Sequence, residues 1–297
     1  MEEIKNLILP LEVAVFSKAD ALRAQHLGAA RIELNAHGSY NDGGLTPSVA
    51  ELTAIGPELR IPIRIMIRPR GPPSFRGQDF LYTESEVEGM ERSMEAFIKS
   101  GFLNPLRGDG FVFGALERSI SDADGDGDGD AKQARDRREV EEQQLTIDLK
   151  ACKKLVEYAR PFGCFFHRAF DSIASTKWWE KELKTLMNCG FQGLLTSGGP
   201  GNFCDNIGRI EQICNSTKLT RFQIIVGGGV RHHNIKSFVE HIATFRDCDV
   251  AIHTAAIKDI KIKPKKSAFF SHSISIKEMD PDKLNKLLEV LAHAKPN

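Results

Sequence analysis

At 297 residues and 41% hydrophobic content, the chain is long enough to bury a substantial core, as one large α/β domain or two small ones. Forty basic residues balance 40 acidic ones, so nucleic acid and an anionic membrane are not expected as bulk partners, although a local basic pocket is compatible with zero net charge. No apolar run reaches the ~18 residues of a membrane span. The acidic start Met1-Glu2-Glu3 lacks the positive region of a secretory signal. The six cysteines, at 152, 164, 189, 204, 214 and 248, form no CxxC and read as reduced thiols, which makes the cytoplasm the expected compartment.

Strand-like and helix-like segments alternate along almost the whole chain. The first strand is predicted over 10–16 with a helix near 17–27, and the second over 31–34 with a helix near 47–55. The third covers 61–67 and leads to a helix near 84–100; the fourth covers 110–113, with a helix near 145–158. Strands at 163–166, 193–196, 222–226 and 249–252 alternate with helical stretches near 175–188, 202–215 and 234–242. A last helix over 281–292 has Asp280 as N-cap, Pro281 at its first position and an apolar stripe of Leu284, Leu287, Leu288 and Leu291. Eight strand–helix units match a single (β/α)8 TIM barrel of the α/β class, one domain spanning 1–297. The rival, an open doubly wound sheet, lacks its glycine-rich fingerprint, because the first strand runs into Phe16-Ser17-Lys18-Ala19-Asp20.

Residues 119–144 interrupt the pattern after the fourth strand. They are poor in apolar residues, glycine-rich and heavily charged, which predicts a flexible, solvated, acidic low-complexity insertion. The Asp-Gly alternation fails as a calcium loop, since the position of the bidentate glutamate is Gln133 in one register and Arg135 in the other.

The chemistry gathers at the predicted strand ends. The fifth strand delivers His167, Arg168 and Asp171; His167 suits acid–base work near neutral pH, and Asp171 is placed to orient it or to neutralise Arg168. Glu12 and Glu33 sit inside the first two strands, where a carboxylate needs a partner. Either they meet arginines inside the barrel or they carry protons, with Glu12 the stronger candidate. Arg68 and Arg70 end the third strand and suit a carboxylate or phosphate, or alternatively a neighbouring barrel acid. Ser197 follows the sixth strand, and Gly227, Gly228 and Gly229 follow the seventh, where close backbone approach to an anion is common in barrels. His253 ends the eighth strand at the same face. No HExxH or compact Cys/His pattern specifies a metal, so the metal ligands are unassigned and the residues establish no cofactor.

The segments LEVAVFS (11–17), GAARIEL (28–34), NDGGLTPS (41–48), MIRPRG (66–71), DGFVFGAL (109–116), FHRAFD (166–171), LLTSGG (194–199) and VGGGV (226–230) together resemble the CutC copper-homeostasis family over nearly the full chain. The resemblance implies a TIM barrel, a cytoplasmic role in copper homeostasis, copper as the associated ligand, and Glu12, Glu33, Arg68, Arg70, His167, Arg168 and Asp171 as members of the barrel-mouth cluster. Where many members of that family carry cysteine, this chain has Ala14, Asn35 and Thr254, which counts against direct Cu(I) coordination. Two functions follow as expectations. One is a CutC-like protein acting in copper homeostasis by weak or indirect copper binding. The other is a barrel enzyme performing general acid–base chemistry on a small anionic or phosphorylated substrate, with Glu12, His167 and Asp171 catalytic and Glu33, Arg68, Arg70, Arg168, Ser197 and the three glycines binding. No motif specifies a protein partner or an oligomeric state.

Overall fold

The structure is a computed structural model that describes residues 9–74, 78–119, 144–242, 247–262 and 274–293. Eight parallel strands close into a barrel: β1 (Leu11–Val15), β2 (Arg31–Leu34), β3 (Ile63–Met66), β4 (Gly110–Phe113), β5 (Gly163–Phe166), β6 (Gly193–Thr196), β7 (Gln223–Val226) and β8 (Val250–Thr254). Each pairs with its sequence neighbours, and β8 closes onto β1 with Leu11 beside Ile252 and Glu12 beside His253. Strands covered on both faces must be apolar on both, which is why Ile, Val, Leu and Phe dominate them.

The two-residue alternation divides the barrel wall. Val13, Val15, Ile32, Leu34, Ile63 and Ile65 belong to the large core shared with the surrounding helices. Met66, Val112, Phe165, Leu195, Ile225 and Ala251 form a separate apolar cluster from β3 to β8, the side chains of the opposite phase, which fill the barrel interior. Strands β1 and β2 contribute nothing to that cluster. In the same inward phase they carry Glu12, Arg31 and Glu33, all buried. One side of the barrel interior is therefore apolar and the other charged.

Several helices start from well-defined caps, which fix how those loops leave the C-terminal ends of the strands. Ser17 caps Lys18–Leu27, and Ser48–Glu51 and Thr83–Glu86 form capping boxes on Val49–Ile55 and Glu84–Lys99. The helix expected near 145–158 begins only at Leu149, behind the N-cap Asp148, because Gln144–Ile147 is a strand. That strand pairs antiparallel with Leu116–Ser119, placing Ser119 opposite Gln144. The charged insertion thus leaves and re-enters at adjacent points, and its residues 120–143 lie outside the described residues. The helix expected near 175–188 is Trp179–Cys189, preceded by a separate single turn, Asp171–Ala174. A second antiparallel pair, Ile257–Ile262 with Ile274–Met279, stands between β8 and the last helix, Pro281–His293. Neither pair is announced by turn residues in sequence, because both connections are long. Among the described residues no helix is long and apolar enough to cross a membrane.

Candidate functional site

The C-terminal ends of the strands surround a cavity of about 530 Å³. Of the residues predicted to form a site, Glu33, Arg68, His167, Arg168, Asp171, Gly228 and Gly229 line it, whereas Glu12, Arg70, Ser197 and Gly227 do not. Asn35, Asp79, Phe80, Arg231 and His253 join them.

His167 leaves β5 in extended geometry, and its Nδ1 accepts a hydrogen bond from the Ala169 amide at 3.3 Å. An accepting Nδ1 places the ring proton on Nε2, and that nitrogen is buried without a partner. Burial, helped by the Arg68 charge, lowers the imidazole pKa to about 3. At neutral pH His167 is therefore a neutral donor, not a base. Its seat requires Gly114, because a Cβ there would stand 2.7 Å from Nδ1. The Phe80 ring packs on the imidazole with centroids 4.7 Å apart. Phe80 has φ 66, a left-handed conformation costly for an aromatic residue. It is held there by Asp79, whose Oδ1 accepts from the Phe80 amide at 2.8 Å while its Oδ2 pairs with Arg68 at 2.8 Å.

Arg68 is thus largely committed to the protein through its two Nη atoms, while its Nε is buried without a partner. Besides Asp79 it donates to the carbonyls of Asp42 and Gly44, clamping the second and third βα loops together. Arg70 turns away from the cavity, pairing with Glu86 at 2.5 Å and donating to Leu81 O at 2.6 Å, so it anchors the start of the helix Glu84–Lys99. Asp171 accepts from Thr196 Oγ1, from the Ser197 amide and hydroxyl, and from Arg168 Nε, at 2.5–2.9 Å. Of the two roles expected for it, the geometry shows the pairing with Arg168; its carboxylate ties the end of β5 to the end of β6. Arg168 also donates to Ser197 Oγ and Gly201 O. Gly228, at φ 86, lets the seventh-strand loop pass where a Cβ would stand 3.2 Å from Arg168 Nη2. Beyond it, Arg231 lines the cavity half-buried, bonded to Val230 O and without a salt bridge among the described residues.

The two glutamates differ sharply. Glu12 lies below the cavity floor, 1% exposed, with Oε2 held by Arg31 at 2.5 Å and Arg64 at 2.7 Å and Oε1 2.8 Å from His253 Nδ1. Burial alone would raise its pKa, but Arg64, Arg31 and His253 outweigh that and hold it well below the usual carboxylate range. Its partners are not the strand-end arginines but two inside the wall. Glu33 faces the cavity: Asn35 Nδ2 donates to Oε1 at 3.1 Å, and Oε2 is buried without a partner. Burial raises its pKa, and the Glu12 charge pushes the same way. Burial alone would lower the His253 pKa, yet the charges of Glu33 and Glu12 raise it. Asn35 Oδ1 is also buried and unpartnered, in a space kept open by Gly44, where a Cβ would stand 2.1 Å from it.

Glu12, Glu33 and His253 place three ligand atoms within 4.8 Å of one another. The set suits Cu(I) poorly: two donors are hard carboxylate oxygens, and Glu12 is already taken by two guanidiniums. None of the six cysteines lines the cavity, and Met66 is its one sulfur-bearing residue.

Fold and site together define a (β/α)8-barrel protein with its polar groups where this architecture places chemistry. The CutC family profile matches residues 9–134 and 137–254, and the chain belongs to the CutC family. It is 33% identical over 231 residues to the mouse copper homeostasis protein cutC homolog, covering 77% of this chain and 69% of the relative. The corresponding Drosophila melanogaster protein is 29% identical over 257 residues, covering 86% and 81%. Among solved structures, the putative copper homeostasis protein CutC from Streptococcus agalactiae superposes with a TM-score of 0.61 at 23% identity, over 83% of this chain and 98% of that one, which shows the same fold.

Proposed function

We propose that this chain serves the copper-homeostasis role named for its relatives indirectly, through a small-molecule site in the barrel mouth that performs acid–base chemistry. The observation that carries this reading is the set of buried, unpartnered polar atoms on residues lining one cavity: Glu33 Oε2, Asn35 Oδ1, His167 Nε2 and Arg68 Nε. Buried polar atoms without partners are costly in a protein alone and are satisfied when a polar ligand arrives. The ligand class is a small anion bearing a carbonyl or hydroxyl group. Arg231 and the Gly228–Gly229 turn would meet its charge, while His167 Nε2–H would donate to its oxygen. Glu33, with its raised pKa and His253 alongside, would give or take the proton. Glu12 keeps its charge throughout and orients His253, so Glu33 replaces it as the proton carrier. The setting is the cytoplasm, as the reduced thiols suggest.

The test is mass spectrometry of small molecules retained by the native protein, followed by proton exchange of the retained compound in D2O. Glu33→Gln should leave the fold intact and slow exchange about 10²–10⁴-fold. Unchanged exchange would remove Glu33 from the chemistry. Copper as a direct ligand is the second reading, favoured by the three clustered donors. Stoichiometric Cu(I) uptake against a weak chelator under reducing conditions, lost in His253→Ala, would establish it in place of the first.

A further inference from the structure

A second cavity, of about 600 Å³, opens at the opposite, N-terminal end of the barrel. Arg31, Arg64, Arg221 and Asp249 provide its charged lining, Gln192, Gln223 and Thr220 its neutral polar lining, and Phe191 and Phe222 form part of its apolar wall. Arg31 and Arg64 are only 8% and 4% exposed, yet neither is fully satisfied: Arg31 Nη2 and Arg64 Nε are buried with no hydrogen-bond partner. Their shared counter-ion is Glu12, one carboxylate for two guanidiniums, and it reaches them from the far side. Gln223 Oε1 accepts from Arg64 at 3.3 Å, and Asp249 receives the Gln223 amide at 2.8 Å. Arg221 stands exposed at the rim with no salt bridge among the described residues. Positive charge therefore exceeds negative charge at this end, in a wall where a guanidinium without an acceptor is expensive. The low pKa of Arg64, about 9, has the same origin: burial first, with Glu12 opposing it and Arg31 adding to it.

We propose that the N-terminal end of the barrel is a second ligand site, one that takes a small organic oxyanion with its carboxylate or phosphate group against Arg31 and Arg64 and its apolar body against Phe191 and Phe222. A guanidinium presents its N–H groups in a planar fork that matches either oxyanion. Glu12 lies between this site and the mouth, bonded to Arg31 and Arg64 on one oxygen and to His253 on the other. An anion here would compete with Glu12 for the same guanidiniums, so the two ends of the barrel share one charge network.

The full chain is titrated calorimetrically with phenyl phosphate and with benzoate, which separates the phosphate from the carboxylate source. Saturable one-to-one binding of at least one probe is expected. Arg31→Lys keeps a cation for Glu12 but loses the fork, and should weaken binding about tenfold or more. Arg221→Glu reverses a rim charge outside the core and should also weaken it about tenfold. Arg231→Ala, at the mouth, should leave that binding unchanged. No saturable binding of either probe would overturn the proposal. So would binding indifferent to Arg221→Glu, a variant informative even where Arg31→Lys fails to fold, and so would binding lost only in Arg231→Ala.

Discussion

The two ends of this barrel handle buried charge in opposite ways. At the C-terminal mouth the unpartnered atoms belong mostly to an acid, an amide and a neutral imidazole, Glu33, Asn35 and His167, with Arg68 Nε beside them. The guanidiniums of Arg68 and Arg168 at that end are spent on loop carbonyls and the carboxylates of Asp79 and Asp171. At the N-terminal end the unpartnered atoms are guanidinium nitrogens of Arg31 and Arg64. Glu12 separates the two regions and is bonded to both. The mouth thus leaves mainly acidic and uncharged groups without partners and the base leaves guanidinium nitrogens, and the difference arises from which charged groups the loops have already neutralised.

The comparison breaks most directly at Glu12. Glu12→Ala leaves Arg31 and Arg64 buried without a counter-ion and should cost about 3–5 kcal/mol in denaturant unfolding at pH 7. A loss below about 1 kcal/mol would mean that the two ends are not joined through this carboxylate. The mouth depends on glycine geometry. Gly44→Ala combines φ +88 with a Cβ placed 2.1 Å from Asn35 Oδ1, and should cost roughly 2–4 kcal/mol with a matching fall in Tm.

His167 sharpens the contrast through pH. The unfolded chain takes up a proton near 6.5 that the folded imidazole refuses until about 3, so the unfolded state binds more protons in that window and stability falls as pH drops through it. The loss from this residue should be about 2 kcal/mol by pH 5. His167→Asn should flatten the stability–pH curve between those limits, and parallel curves would show an imidazole free to ionise in the fold. The smallest effect belongs to Arg221→Glu, expected to change stability by no more than ~0.5 kcal/mol, since the side chain is exposed and has no salt bridge among the described residues. A larger loss would mark Arg221 as structural and weaken its assignment to the second site.

Much of the barrel is legible in the chain itself. All eight strands fall within a few residues of their predicted positions, because a parallel strand covered on both faces must be a short, nearly unbroken apolar run. Glu12 and Glu33 stand out as acids inside such runs, and His167 as the polar end of one. Arg31 and Arg64 carry no motif of their own, although the period of two contains the signal. Arg31 shares its phase with Glu33, and Arg64 shares its phase with Met66 and Arg68, so each had to face the barrel interior. The antiparallel pair at 116–119 and 144–147 was not readable, since its partners are separated by the charged insertion.

The sequence by itself determined the strands, their order, the barrel and the end of it where histidine, acid and glycine turns gather, because burial and periodicity are local properties of the chain. Only the tertiary structure decided which charge meets which. Whether Glu12 pairs with Arg68 and Arg70 or with Arg31 and Arg64 depends on the stagger of neighbouring strands around the closed sheet, which sets the heights of inward side chains relative to one another. That stagger pairs Glu12 with two guanidiniums and leaves Glu33 Oε2 buried without a partner. It also places two guanidiniums, short of acceptors, at the far end of the barrel.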